Sequence, residues 1–207
     1  MCNLYSMTTN QEAIRQLFAV DIDRLGNLPA LPDIFPDQTA PVVREGPDGR
    51  ELLAMRWGFP PESGSRPITN ARHLSSAVWR DWLEPAFRCL VPATSFCEWT
   101  DTRPKVPHWF ALTPERPVFA FAGLWRPWTG TRKGQSGEHL LFAFLTTAAN
   151  ADVKPIHAKA MPVVLRTPQA RAAWMSLPAA EIRRLQRPLP DGALAVVATG
   201  ATSDPAV

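Results

Sequence analysis

Apolar positions along the chain follow two spacings, one helical and one alternating. Behind a polar stretch that offers an N-cap, Ala13, Ile14, Leu17 and Phe18 recur at helical spacing, which predicts a first helix over residues 8–18. Residues 21–40, rich in Pro, Asp and Leu, show no period and read as a long irregular connection. Residues 42–44 and 51–57 flank Gly46-Pro47-Asp48-Gly49, where Pro presets φ and Gly accepts a positive one, so the two runs predict a β-hairpin. A polar loop over 60–67 leads to Ile68-Thr69-Asn70-Ala71-Arg72, and residues 77–87, with Trp79 and Trp82, read as a short helix. Strands are predicted at 88–91, 95–100, 108–112, 118–124, 140–147 and 161–165. Two short helices at 169–176 and 179–185 precede a last strand at 193–198, and 130–137 reads as a flexible hairpin tip. With no internal repeat and no composition shift, the chain reads as a single domain over residues 1–200 with 201–207 as a flexible tail.

Composition narrows the class. At 45% hydrophobic and 20% charged residues, the 207-residue chain can bury a continuous core. Its 22 Pro are scattered, and Pro is poorly tolerated inside helices and central strands, so the fold should be β-rich with many short elements. Net charge is only +3, but 18 of the 22 basic residues are Arg. The planar Arg fork suits phosphate and stacks on bases, while a GC-rich genome produces the same bias, so charge alone names no partner. Cysteines at 2, 89 and 97, with no CxxC pair, disfavour a disulfide framework and a zinc site and fit a reducing compartment. No apolar run approaches the roughly 20 residues of a membrane span, and no signal-peptide pattern opens the chain. A soluble cytoplasmic protein with no membrane partner is the expectation.

Four constellations carry candidate chemistry. Cys2 would present both a thiol and a primary α-amine if Met1 were removed, with ordinary pKa values of about 8.5 and about 7.7–8.0. Such a 1,2-aminothiol condenses with an aldehyde to an imine and then closes sulfur onto the imine carbon, giving a five-membered thiazolidine. The alternative is an incidental small residue after the initiator Met. Glu98 stands in an otherwise apolar run next to Trp99, where desolvation would suit it to acid–base work; a solvent-facing carboxylate on an amphipathic strand is the alternative. His157 lies just before the apolar run at 161–165 and can be catalytic or structural. Asn70 offers an amide to an amine or a sugar oxygen, with Arg72 facing the same way if the segment is extended, or the two are a turn or edge-strand Asn and a surface Arg.

Together these pieces resemble the SRAP (SOS response-associated peptidase) family of abasic-site processing proteins. The resemblance covers about residues 2–190. It rests on Met-Cys-Asn at the start, Met55-Arg56-Trp57-Gly58-Phe59-Pro60, Asn70-Ala71-Arg72, Arg88-Cys89-Leu90-Val91-Pro92 through Phe96-Cys97-Glu98-Trp99, and Ile156-His157 with Met161-Pro162-Val163. Many members begin Met-Cys-Gly-Arg where this chain has Asn3 and Leu4. Many read His-x-Arg-Met-Pro where His157 to Pro162 is one residue longer, with Lys159 as the basic substitute.

The resemblance implies a mixed α/β (α+β) fold with a mostly antiparallel, β-barrel-like core, short flanking helices and a single domain. It implies capture of abasic sites in single-stranded DNA as a covalent thiazolidine crosslink at Cys2, after autocatalytic or aminopeptidase removal of Met1. Cys2, Asn70, Glu98 and His157 would be catalytic; Arg72, Arg80 and Lys159 would meet phosphates, and Trp57 and Trp99 would stack on bases. No cofactor and no metal are called for, and a monomer associated with the nucleoid when bound to DNA is expected. A cysteine peptidase or N-terminal-nucleophile amidohydrolase, and a non-catalytic reader of single-stranded or modified DNA, stand as alternatives.

Overall fold

The computed structural model describes residues 2–61 and 64–205. In chain order the elements are β1 (Tyr5–Met7), α1 (Gln11–Phe18), β2 (Ile22–Asp23), β3 (Leu31–Ile34), β4 (Thr39–Gly46), β5 (Gly49–Trp57), β6 (Asn70–Ala71), α2 (Ala77–Arg80), β7 (Arg88–Ala93), β8 (Ser95–Trp99), β9 (Pro107–Ala111), β10 (Phe119–Arg132), β11 (Gln135–Thr147), β12 (Met161–Pro162), β13 (Val164–Leu165), α3 (Pro168–Ser176) and β14 (Ala195–Thr199). Single turns of 3-10 helix stand at Pro85–Phe87 and Ile182–Leu185.

The hairpin set by Gly46-Pro47-Asp48-Gly49 starts a ring. β4 pairs antiparallel with β5 from Gly46↔Gly49 to Thr39↔Arg56, and on its other edge with β7. β7 pairs with β10, and β10 with β11. β11 then returns to β5 in parallel, through Leu141↔Arg56 and Phe142↔Trp57. Five strands thus close into a barrel in the order β4-β5-β11-β10-β7, and closure leaves none of the five as a bare edge. Trp57, Phe121 and Phe144 from three of these strands join Tyr5 of β1 in one buried aromatic cluster, with centroid separations from 4.6 Å (Phe121–Phe144) to 5.9 Å (Tyr5–Phe144).

At the end of β5 the chain leaves the ring through Gly58, whose N–H donates to Phe142 O at 2.7 Å and whose φ is +119°. A Cβ there would sit 2.5 Å from Pro67 Cβ, so a side chain is excluded by space as well as by backbone. β6 then takes over the edge that β5 vacates, pairing Asn70 with Phe144, two residues beyond the Trp57 partner Phe142. That exchange of strands puts the short polar segment at 70–72 where an end of the ring meets the chain N-terminus.

A second sheet, ordered β14-β9-β8-β1-β3, packs on the barrel. Alternation sorts its faces: Tyr5, Met7, Phe96 and Phe110 enter the main core, while Leu4, Cys97 and Trp109 form a small cluster on the other side with Trp99, Val197 and Ala198.

Several expectations change. The stretch 21–40 holds two strands, β2 parallel to β5 and β3 antiparallel to β1. Both are short edge strands, and Pro32 in β3 is tolerated there because an edge has N–H positions that need no partner, so neither shows an alternating pattern. Helix α1 begins at Gln11 and is capped by Asn10, whose Oδ1 accepts from Ala13 N at 2.9 Å. The helix expected at 77–87 stops at Arg80, since Pro85 cannot continue it and starts a 3-10 turn instead. The supposed tip at 130–137 is mostly strand; only Lys133 and Gly134 turn, at φ 47° and 78°, as a two-residue hairpin loop. After Gly200 the chain does not fray through residue 205: Ala201 O accepts from Trp109 Nε1 at 2.9 Å, and Asp204 is buried with its N–H on Pro32 O at 2.9 Å. Buried polar partners hold this segment down. The expectation for residues 206 and 207 lies outside the described residues.

Candidate active site

Cys2 stands just ahead of β1. That strand is held against β8 through Tyr5↔Phe96 and Ser6↔Ser95, and Cys97 N donates to Leu4 O at 2.9 Å. Cys2 is wholly buried; its Sγ donates to Leu4 O at 3.5 Å and lies 4.0 Å from Cys97 O. Burial first, and then the Glu98 carboxylate, push the thiol well above its ordinary range. It is held as a neutral thiol.

Asn70 arrives on β6. Its Nδ2 donates to Cys2 O at 2.8 Å and to Thr69 Oγ1 at 2.7 Å, so the amide both holds the N-terminal residue and is itself oriented by its neighbour. Asn70 is thus no turn residue; it does stand on a short edge strand, with its amide turned to the N-terminal residue. Glu98 follows the alternation of β8: Phe96 and Cys97 point to opposite faces, so Glu98 points with Phe96 toward the interior and is 2% exposed. It is not the solvent-facing carboxylate of an amphipathic strand. His157 ends a short turn segment whose backbone is pinned by His157 N on Val153 O at 2.9 Å, and its Nδ1 meets Glu98 Oε2 at 2.8 Å. Four separate segments thus bring Cys2, Asn70, Glu98 and His157 together.

The pair opens on a cavity of about 490 Å³ lined by Asn3, Glu98, Trp99, Asp101, Lys105 and His157. A larger one, about 620 Å³, lies between residues 164–170 and 185–191 and touches none of the four. Convergent titratable groups are the better guide than size. Three buried polar atoms on these segments make no hydrogen bond: Glu98 Oε1, on a residue that lines the smaller cavity, Asn70 Oδ1, on the amide that holds Cys2, and Arg72 Nη1, two residues further along. Each is a place where a polar ligand gains a bond without losing one. Among the described residues no group of three or more His, Cys, Asp or Glu is placed to hold a metal ion.

The DNA-contact candidates divide. Trp99, half-buried, lines the cavity. Arg80 and Lys159 are exposed, and Arg72 is partly buried with its backbone oxygen held by Gln186 Nε2 at 2.7 Å. Trp57 is a correction: it is wholly buried, stacked on Phe142 and Phe144 at 6.3 and 5.1 Å, with its Nε1 on Thr69 O, and has no face to offer a base. Its contribution is the packing behind Asn70. The cavity residues Asn3, Asp101 and Lys105 were not anticipated. Asp101 and Lys105 lie in a Pro-containing loop with no periodicity, and nothing local in the sequence sets them apart.

The family model described as SOS response associated peptidase (SRAP) matches residues 1–201. The chain belongs to the SRAP family. This SRAP domain is 29% identical over 180 residues to the abasic site processing protein YoaM of Bacillus subtilis (strain 168), covering 80% of this chain and 75% of that protein. It is 28% identical over 189 residues to the abasic site processing protein YobE of the same organism, covering 85% and 82%. Among solved structures, a protein from Bordetella bronchiseptica superposes with a TM-score of 0.76 at 24% identity, covering 96% of this chain and 98% of that one. A protein from Bacteroides thetaiotaomicron gives 0.74 at 22%, covering 94% and 90%. These two likenesses are likenesses of fold, and the SRAP fold seen here is the barrel-cored α+β arrangement.

Proposed function

We propose that this SRAP domain processes abasic sites in single-stranded DNA by capturing them covalently on Cys2 once Met1 has been removed, by the site itself or by an aminopeptidase. Met1 lies outside the described residues. The observation that carries the reading is the Asn70 amide on Cys2 O beside the Glu98–His157 pair, in a chain whose relatives are named for abasic-site processing.

In the proposed reaction the abasic deoxyribose presents its C1′ aldehyde. The Cys2 α-amine adds to that carbon, and the carbinolamine loses water to give the imine. The Cys2 sulfur then bonds to the same carbon as its proton passes to the imine nitrogen, leaving a thiazolidine; one water is released overall and nothing is oxidised. Asn70 Oδ1 and Glu98 Oε1 are unfilled acceptors suited to an amine N–H, and Glu98 with His157 can take up and return the protons that ring opening and dehydration move. Arg72, Arg80 and Lys159 are assigned to phosphates and Trp99 to a neighbouring base, so affinity should fall with salt.

The test mixes protein of confirmed mass, lacking Met1, with single-stranded DNA bearing one abasic site, followed by a denaturing gel. The expected result is a protein–DNA band that survives denaturation, absent with undamaged DNA and absent for Cys2→Ala. No such band from the processed wild type overturns the proposal.

A further inference from the structure

On the face of the five-stranded sheet away from the barrel, a buried carboxylate ties together β1, which follows directly on Cys2, and β8, which carries Glu98. Ser6 of β1 and Ser95 of β8 are directly opposite one another, with their Oγ atoms 2.7 Å apart. Asp204 Oδ2 accepts from Ser6 Oγ at 2.9 Å and from Ser95 Oγ. Its Oδ1 pairs with Arg116 Nη2 at 3.1 Å, and its backbone N–H reaches Pro32 O of β3. The Asp204 side chain has no exposed surface. Arg116 sits at φ 50°, a left-handed conformation that a non-glycine side chain rarely adopts, and also donates to Val197 O of β14 at 3.3 Å.

This clamp sits where the ladder is short. β1 has three residues, two registered pairs with β8, and a shifted register against β3 between Tyr5 and Met7. So short a strand has few ladder pairs of its own, and its seating leans on side-chain contacts on both faces. Continuing the observed pairing places Asn3 opposite Glu98 and Cys2 opposite Trp99, so the seating of Ser6 on Ser95 governs where Cys2 stands relative to the Glu98 carboxylate. We infer that Asp204 is a positioning residue for the Cys2 reaction, acting through Ser6 and Ser95 and never touching the DNA. The inference rests on the crosslinking reading above.

The experiment uses the full chain with Met1 removal confirmed by mass and follows single-turnover crosslinking against the concentration of abasic single-stranded DNA. Asp204→Ala should lower the maximal rate by about 10- to 100-fold, the scale expected for displacement of a reacting group by about an ångström. The half-saturating DNA concentration should stay within about twofold, because no residue of the clamp is among those assigned to the phosphates. Asp204→Asn should recover part of the rate, since its amide oxygen still accepts from the hydroxyls while its nitrogen cannot pair with Arg116. If Asp204→Ala does not fold, Ser95→Ala, which deletes one hydroxyl, should give the same split in milder form. A merely structural role would lower the melting temperature or the crosslinked fraction and leave the rate per folded molecule at the wild-type value; that result overturns the inference alone. A wild type that forms no adduct overturns the crosslinking reading, and the inference falls with it.

Discussion

Replacing Asn70 with Ala separates holding Cys2 from holding the fold. The substitution deletes two donated hydrogen bonds, to Cys2 O at 2.8 Å and Thr69 Oγ1 at 2.7 Å. At a net contribution of about 0.5–1.5 kcal/mol each, the folded state loses about 1–3 kcal/mol. For a chain of this size that lowers the melting temperature by about 2–12 °C, at about 2–4 °C per kcal/mol. From a total stability of about 5–15 kcal/mol the protein stays essentially folded at 25 °C. The crosslinking rate has no such cushion: an N-terminal residue released from its anchor loses its alignment, and a misplacement of about 1 Å costs about 10²-fold. Asn70→Asp is the sharper variant, because a carboxylate at the same place sets one acceptor against another and adds charge near Glu98, and it should be at least as slow as Ala. The assay is single-turnover crosslinking at saturating abasic DNA, with melting followed in parallel. A rate within about twofold of wild type for Asn70→Ala would refute the reasoning, since a loss of the size set by misplacement would be absent.

Two further outcomes are expected. Cys2→Ser keeps the α-amine and loses the sulfur, so borohydride should trap an imine while no stable adduct survives without it, as read on a denaturing gel; failure to trap anything in a chain lacking Met1 would mean that sulfur attacks first. Glu51 is 1% exposed and pairs with Arg24 at 2.6 Å and Arg44 at 2.9 Å, and the Arg24 hydrogen bond, with that of Arg44, holds its carboxyl below its ordinary value of 4.5. A carboxyl lowered in the folded state stabilises above its unfolded pKa and loses that stabilisation as pH falls through the folded one, so wild type should lose more stability than Glu51→Gln between neutral pH and the region below 4.5 in urea titrations. At neutral pH the Gln variant should be less stable by about 1.5–3 kcal/mol, the scale of one hydrogen bond to a charged group and not of two, because Arg24, though the larger influence on the carboxyl, is half exposed and screened by solvent.

The legible parts of the fold were those written in local pattern. The Gly46-Pro47-Asp48-Gly49 turn and the apolar runs from Arg88 to Thr147 announced strands, and the strands are there. Barrel closure was not written in any one run: it depends on β11 meeting β5 across 84 residues of chain, Phe142 on Trp57, and a non-local pairing leaves no periodic trace. Trp57 shows the matching limit on the site side, since an aromatic in a family motif reads alike whether it faces a base or fills a core, and only burial decides. Cys2, Asn70, Glu98 and His157 were legible as a set because the motifs flanking them occur together and in order. Asp204 was not, because a carboxylate near the chain end looks like solvated tail until Ser6 and Ser95, some 198 and 109 residues away, are seen to bind it.

The electrostatics around Cys2 bear on the order of the proposed steps. An α-amine with an ordinary pKa of about 7.7–8.0 offers a sizeable neutral fraction at pH 7. The thiol of the same residue, raised by burial and by Glu98, offers almost no thiolate. Nitrogen is therefore the available nucleophile toward an arriving aldehyde, and sulfur is held back. Once the imine forms and is protonated, a cation stands beside the thiol, and an adjacent positive charge lowers a thiol pKa. The same Glu98 carboxylate then faces the iminium, and with His157 bound to it at 2.8 Å the pair can relay protons, giving one to the imine nitrogen and regaining one from sulfur as the ring closes, so that the net transfer is from sulfur to nitrogen. In the proposed reaction one carboxylate thus acts against sulfur before the imine exists and in favour of ring closure afterwards, an order that would keep the buried thiol unreactive until an aldehyde had been caught.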